Sequence, residues 1–117
     1  MTVPIYQLKA EFFKTLGHPA RIRVLELLSE GEQSVGQLVP EVGIEASHLS
    51  QQLAILRRAN LVQTRKEGSS VFYSIANAEI SELLAVAKRI LTSSLTASAE
   101  MLAELESEPS APVATKR

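Results

Sequence analysis

A group of short polar and basic side chains recurs on one side of a helix predicted over about Ala46 to Ala59. Leu49, Leu53 and Leu56 recur there at the spacing of one helix face, so at about 100° per residue the polar side chains point away from the core. Hydroxyl and amide groups hydrogen-bond to base edges and phosphates, and guanidinium groups neutralise phosphates. These residue types therefore predict a DNA-contacting helix. The candidate contacts on it are Ser47, His48, Ser50, Gln51, Arg57 and Arg58.

A second group of candidate contacts follows in a predicted β-hairpin. The β-rich runs 61–65 and 71–75 flank a glycine-containing loop over 66–70. Arg65 and Lys66 adjoin its tip, so we expect them to neutralise phosphates, with Ser69 and Ser70 close by. The competing interpretation is an ordinary solvated face. It is strongest for Arg57, which could instead pair with an acid inside the domain.

The remaining elements must position these two groups. Ser34 is predicted to cap a short helix that Pro40 shortens or distorts, and Gly43 to form the turn into the helix above. His18 is predicted to have a structural or capping role, and the aromatic residues Tyr6, Phe12 and Phe13 to pack in the core rather than line a small-molecule pocket. The predicted helices, in addition to 46–59, are 5–16, 19–29, 34–42 and 77 or 78 to 105.

This order of elements predicts a mainly α fold with a small β-hairpin (α+β), in the order α-α-α-α-β-β-α. It is a winged helix-turn-helix, in which one helix enters the major groove of DNA. Residues 1–105 would form one domain with dimerising first and last helices, because the long final helix needs another surface to cover its apolar stripe. Residues 106–117, which include Pro109 and Pro112, are predicted to be a disordered tail.

The composition offers little for metal, redox or catalytic chemistry. Of 117 residues, 45% are hydrophobic and 21% charged, and no apolar run approaches the ~18 residues of a membrane-spanning helix. The sequence has no cysteine, which excludes disulfides, thiolate metal sites and cysteine nucleophiles. His18 and His48 have no obvious nucleophile or acid partner in sequence. The sequence therefore predicts a cytoplasmic protein that is neither an enzyme nor a membrane protein.

The overall charge argues against DNA binding, but its distribution does not. The net charge is −1 and the pI about 6.1, whereas DNA-binding domains are often basic. Residues 47–73 nevertheless carry four basic side chains and one acidic, while residues 100–108 carry four glutamates and no basic residue. Two alternatives stay open: a protein-interaction module that keeps the winged fold without the DNA role, and a co-regulator that needs a partner protein to sense its effector.

Three segments of the sequence resemble the ArsR/SmtB-type winged-helix repressors. They read FKTLGHPARIRVL over 13–25, SHLSQQLAILRRANLV over 47–62 and KEGSSVFYSI over 66–75. The likeness covers about residues 5–105, and the three motifs occur in the right order and spacing. It implies a homodimer, built mainly from the first and last helices, that binds an imperfect promoter palindrome in double-stranded DNA and is released by an effector.

The metal sites that the resemblance implies are not carried over by this sequence. In one type of relative a cysteine pair lies where this chain has Ser34 and Gly36, which cannot supply thiolates. In another type of relative, carboxylate and histidine ligands lie along the last helix. At the corresponding positions of this chain, Glu79 is the one residue that is a good metal ligand. The four corresponding positions are Asn77, Glu79, Ile90 and Ser93. We therefore expect no cofactor. Nickel or zinc would need a non-standard site, and no group of residues in the sequence indicates one.

Overall fold

The computed structural model describes residues 2–107 and contains five helices and three short strands within that range. In chain order the elements are α1 (Ile5–Leu16), α2 (Pro19–Leu28), β1 (Gln33–Ser34), α3 (Val35–Val42), α4 (Ala46–Arg58), β2 (Val62–Glu67), β3 (Ser70–Ile75) and α5 (Ala78–Glu106). The predicted mainly α fold with a winged helix-turn-helix is confirmed. None of the described helices is long and apolar enough to cross a membrane.

The predicted element order omits one strand. β1 pairs antiparallel with β3, so the sheet has the order β1-β3-β2 rather than being a simple hairpin. Its two residues, Gln33 and Ser34, face Tyr73 and Phe72 of β3. A strand of two residues is too short to show an alternating pattern in the sequence. Its extended conformation is imposed by pairing with the partner strand.

The hairpin loop is also shorter than predicted. Lys66, Glu67 and Ser70 are paired strand residues, with Lys66 opposite Val71 and Glu67 opposite Ser70. This leaves Gly68 and Ser69 as the turn, and Gly68 has a φ of 62°. Glycine with positive φ at the first turn position matches a two-residue hairpin turn whose twist suits antiparallel strands.

The core of the first unit joins α2, α3 and α4. The chain divides into two compact units, the first ending at Leu83 and the second beginning at Leu84. The fully buried side chains belong to the first unit, and they interlock the helix-turn-helix with α2. They are Val24, Leu25, Leu38, Leu49, Leu53 and Leu56.

Large apolar side chains remain exposed in each unit. On α1 the apolar side chains are buried only at the C-terminal end of the helix, since Leu16 is 5% exposed whereas Ile5 and Leu8 are 65% and 51% exposed. Tyr6 and Phe13 are exposed as well, contrary to the prediction that they pack in the core, and Phe12 is half-buried. The part of α5 in the second unit exposes Ile90, Leu91, Leu95, Met101, Leu102 and Leu105.

The last helix is close to its predicted extent. It spans 29 residues, ending at Glu106 rather than Leu105, and Ser107 forms a turn after it. At about 1.5 Å per residue such a helix is about 43 Å long. The predicted disordered tail otherwise falls on residues 108–117, which lie outside the described residues.

Candidate nucleic-acid interface

The turn before α4 is set by local caps at both ends of α3. The Ser34 hydroxyl accepts from Gln37 N–H at 3.3 Å, and the Gln37 side chain accepts from Ser34 N–H at 2.8 Å. This reciprocal capping box confirms the predicted start of the helix. Pro40 lies inside α3 without ending it, so the helix reaches Val42. Gly43 then turns the chain with a φ of 81°, a left-handed conformation that favours glycine.

Helix α4 presents its polar face to solvent, as the leucine spacing predicts. Leu49, Leu53 and Leu56 are fully buried. The predicted contact residues Ser47, His48, Ser50 and Gln51 are all exposed, and so are Arg57 and Arg58 in its last turn. The helix thus offers hydroxyl, amide, imidazole and guanidinium groups outside the core.

The C-terminal end of α4 has a hydrogen-bonded backbone motif that leads directly into β2. Strands β2 and β3 form the hairpin that is the wing of the fold. Asn60 follows the Ala59 C-cap and has a left-handed φ of 62°. Asn60 N–H donates to the Arg57 carbonyl at 3.0 Å, and Leu61 N–H to the Leu56 carbonyl at 2.9 Å. This is a Schellman motif, with the side chain of Leu61 buried behind it.

A buried glutamine, which is not among the residues predicted from the sequence, fixes α4 against α2. Gln52 is 6% exposed, and its Oε1 accepts from Arg21 Nε at 2.7 Å. Arg21 also donates from Nη1 to the Thr15 carbonyl at 3.1 Å, which ties in the end of α1. The signal in the sequence was position: Gln52 lies three residues after Leu49 and four before Leu56, on the buried side of the helix.

A groove beside the wing brings together two of the predicted cations. Ala54, Arg57 and Arg58 of α4 and Tyr73 of β3 line this groove, which has a volume of about 380 Å³. Neither arginine forms an ion pair within residues 2–107, so the internal acid considered for Arg57 is not found there. The guanidinium charges are therefore available to an external anion.

On the wing, the two predicted cations Arg65 and Lys66 lie in different surroundings. Arg65 donates to both Glu32 carboxylate oxygens, at 3.0 and 2.7 Å, and to Glu67 at 2.9 Å. These hydrogen bonds raise the pKa of Arg65 and lower the pKa of Glu32. Lys66 is exposed and forms no ion pair with any described residue. Ser69 and Ser70 are exposed at the tip.

His18 and Asn77 cap helices, and Glu79, the candidate metal ligand on the last helix, stands alone. His18 Nδ1 accepts from Ala20 N–H at 3.2 Å at the start of α2, which confirms the predicted capping role. Asn77 Oδ1 accepts from Glu79 N–H at 2.8 Å, and Glu79 is exposed. Within the described part of the chain, no three histidine, cysteine or acidic residues are grouped so that they could hold a metal ion.

Comparison with known proteins agrees with this geometry. Residues 18–64 match the family described as "Bacterial regulatory protein, arsR family". The chain is 54% identical over 109 residues to the uncharacterized HTH-type transcriptional regulator Rv0081 of Mycobacterium tuberculosis, covering 92% of this chain and 96% of that protein. Its crystal structure superposes with a TM-score of 0.77, at 56% identity, covering 84% of this chain and 99% of the other.

Two further relatives are more distant. The biofilm growth-associated repressor of Xylella fastidiosa is 41% identical over 75 residues, covering 64% of this chain and 66% of that protein. The homodimeric winged helix-turn-helix DNA-binding domain of Mb0332 from Mycobacterium bovis has a TM-score of 0.71 and 27% identity, covering 78% of this chain and 84% of that domain. With its winged helix-turn-helix and its close likeness to a whole regulator, this chain belongs to the ArsR family of transcriptional regulators.

Proposed function

We propose that this regulator is a sequence-specific DNA-binding repressor that acts as a homodimer at a promoter palindrome. The observation that carries the proposal is the exposed polar face of α4, which is held by a buried leucine face and flanked by an exposed wing. A helix held in this way can enter the major groove while the wing reaches the neighbouring backbone. The Xylella fastidiosa relative is named a repressor, which supports the direction of regulation.

The proposed contacts divide into two classes. Ser47, Ser50 and Gln51 would meet base edges, because a glutamine amide can bond bidentately to adenine. The cations of the last turn of α4 and Lys66 of the wing would neutralise phosphates, which gives affinity for any sequence. The proposed backbone contacts are His48, Arg57, Arg58, Lys66, Ser69 and Ser70.

Exposed apolar surface supports the homodimer. Ile5, Tyr6 and Phe13 on α1 are each more than half exposed, and the second unit exposes a series of leucines along α5. Apolar surface of this extent usually marks an association site. The Mycobacterium bovis relative is described as homodimeric, and a two-fold dimer would match a palindromic operator.

Two of the positions at which the family resemblance implies metal ligands, Ser34 and Asn77, carry helix caps in this chain. The Ser34 hydroxyl accepts a backbone N–H at the start of α3, and Asn77 Oδ1 does so at the start of α5. We therefore extend the proposal to a repressor that does not use the usual metal sites of the family. Adding zinc or nickel should leave its DNA affinity unchanged, whereas release at a stoichiometric metal concentration would contradict this.

Two substitutions test the DNA contacts. Gln51→Ala should weaken binding to a duplex from upstream of the gene more than binding to a scrambled duplex, by about 1–3 kcal/mol in the difference. Gln63→Ala, which alters an exposed glutamine at the base of the wing, is the matched control and should leave the ratio unchanged. If Gln51→Ala also leaves the ratio unchanged, α4 is not the reading helix.

A further inference from the structure

The Arg65 side chain spans the whole three-stranded sheet. Arg65 lies on the outer strand β2, directly opposite Phe72 of the middle strand β3. Its guanidinium carbon lies 4.9 Å from the centre of the Phe72 ring. Beyond that ring it reaches Glu32, the residue directly before β1, with two hydrogen bonds of 3.0 and 2.7 Å. One side chain therefore connects the wing to the opposite edge of the sheet.

That opposite edge leads directly into the helix-turn-helix. Ser34 of β1 is also the N-cap of α3, so a restraint on Glu32 acts two residues before the N-cap of the helix that precedes α4. A bidentate arginine–carboxylate pair fixes orientation as well as distance, and stacking on an aromatic ring holds the guanidinium plane. Glu67, two residues along β2, accepts at 2.9 Å and completes the cluster.

Because side chains alternate along a strand, Lys66 lies on the other face of β2 from Arg65. The Arg65 donors already meet two carboxylates, whereas Lys66 has no ion-pair partner among residues 2–107. A cation paired with two acids has less to gain from a phosphate than an unpaired one, since the pairs must break first.

We propose that Arg65 is a positioning residue, which sets the wing against the helix-turn-helix through Glu32, Glu67 and Phe72, and that Lys66 supplies the phosphate contact. This differs from the phosphate contact that the position of Arg65 in the sequence predicts. The inference rests on the proposed DNA-binding function, and it assigns different roles to two adjacent cations.

The test compares Arg65→Gln with Lys66→Gln, which remove the same charge from neighbouring residues. Binding to a labelled duplex from upstream of the gene is measured by anisotropy over a salt series. Each lost phosphate contact lowers the slope of log affinity against log salt by about 0.9. Lys66→Gln should lower the slope by about that amount, whereas Arg65→Gln should weaken binding about two- to fivefold with the slope unchanged.

Two further variants separate positioning from charge. Arg65→Lys keeps the charge but loses the planar fork, so it should bind nearly as weakly as Arg65→Gln. Glu32→Gln should also weaken binding, and combining it with Arg65→Gln should add little. The control Glu30→Gln removes a nearby carboxylate that forms no ion pair with the described residues, and it measures the general effect of charge on affinity.

The outcomes are distinguishable. If Arg65→Gln lowers the salt slope as Lys66→Gln does, or if Glu32→Gln tightens binding more than Glu30→Gln, Arg65 contacts phosphate and the inference fails while the proposed function stands. If the unaltered protein shows no salt-dependent binding to any duplex, the proposed function itself fails. Circular dichroism melting of each variant confirms that it is folded before its affinity is interpreted.

Discussion

Replacing Gln52 by methionine tests whether a buried polar pair holds α4 in place. Methionine has nearly the volume of glutamine, so the change removes the acceptor of the 2.7 Å hydrogen bond from Arg21 with little cavity. The Nε of Arg21 is then left without its partner beside a side chain that is 6% exposed in the native protein.

The magnitude follows from the charge on the donor. A hydrogen bond to a charged group contributes about 1.5–3 kcal/mol to stability, more than a neutral one. Burying the thioether in place of an amide recovers part of that loss, so Gln52→Met should lower the free energy of unfolding by about 1–2 kcal/mol. Arg21→Met should cost at least as much, because it also loses the bond to the Thr15 carbonyl.

The assay is urea unfolding followed by circular dichroism, since the sequence has no tryptophan to report by fluorescence. All variants are measured at one protein concentration, because dimer formation would make apparent stability depend on it. The double variant Gln52→Met/Arg21→Met removes both partners, so it should be less destabilised than the sum of the single variants by about 1–2 kcal/mol. Additive effects, or a Gln52→Met cost below about 0.5 kcal/mol, would refute a coupled buried pair.

Three further predictions concern single elements. Gly68→Ala should lower the free energy of unfolding by about 1 kcal/mol, because the φ of 62° is strained for any residue with a Cβ; an equal stability would show that the turn adapts. Ser34→Ala should cost about 1 kcal/mol in the same urea assay by removing the α3 cap, and an unchanged stability would contradict the role of the cap. The pKa of Glu32 is lowered from 4.5 by its hydrogen bond to Arg65, so its contribution to stability is present above that pH and is lost as pH falls through the lowered pKa. Wild type and Glu32→Gln should therefore converge in stability in acid, and a constant difference down to low pH would contradict this.

The helix-turn-helix was predictable because its signals are local. The leucine spacing in α4 predicts its buried face, and the reciprocal caps of Ser34 and Gln37 lie within one turn. Gly43 has the left-handed φ that its place in the turn predicts. In each case the residues that determine the conformation are neighbours in sequence, so their pattern is visible without a structure.

The missed features depend on contacts between distant residues. Arg65 and Glu32 are 33 positions apart, and Arg21 and Gln52 are 31 apart. Glu67, two residues after Arg65, is a local acid on the same face of the strand, whereas Glu32, which accepts two hydrogen bonds, is distant in sequence. An arginine next to a hairpin tip is also typical of a phosphate contact. Strand β1 was missed for the same reason, because it is defined by its pairing with the distant strand β3. Which cation meets DNA is therefore a question about tertiary structure.

The most direct test of sequence-specific DNA binding is fluorescence anisotropy with a labelled duplex from upstream of the gene, compared with a scrambled duplex over a salt series. We expect tight binding that weakens steeply with salt and that prefers the upstream duplex. Feeble and equal binding to both duplexes would contradict it. That result would favour the protein-interaction module, or a regulator that requires a partner protein.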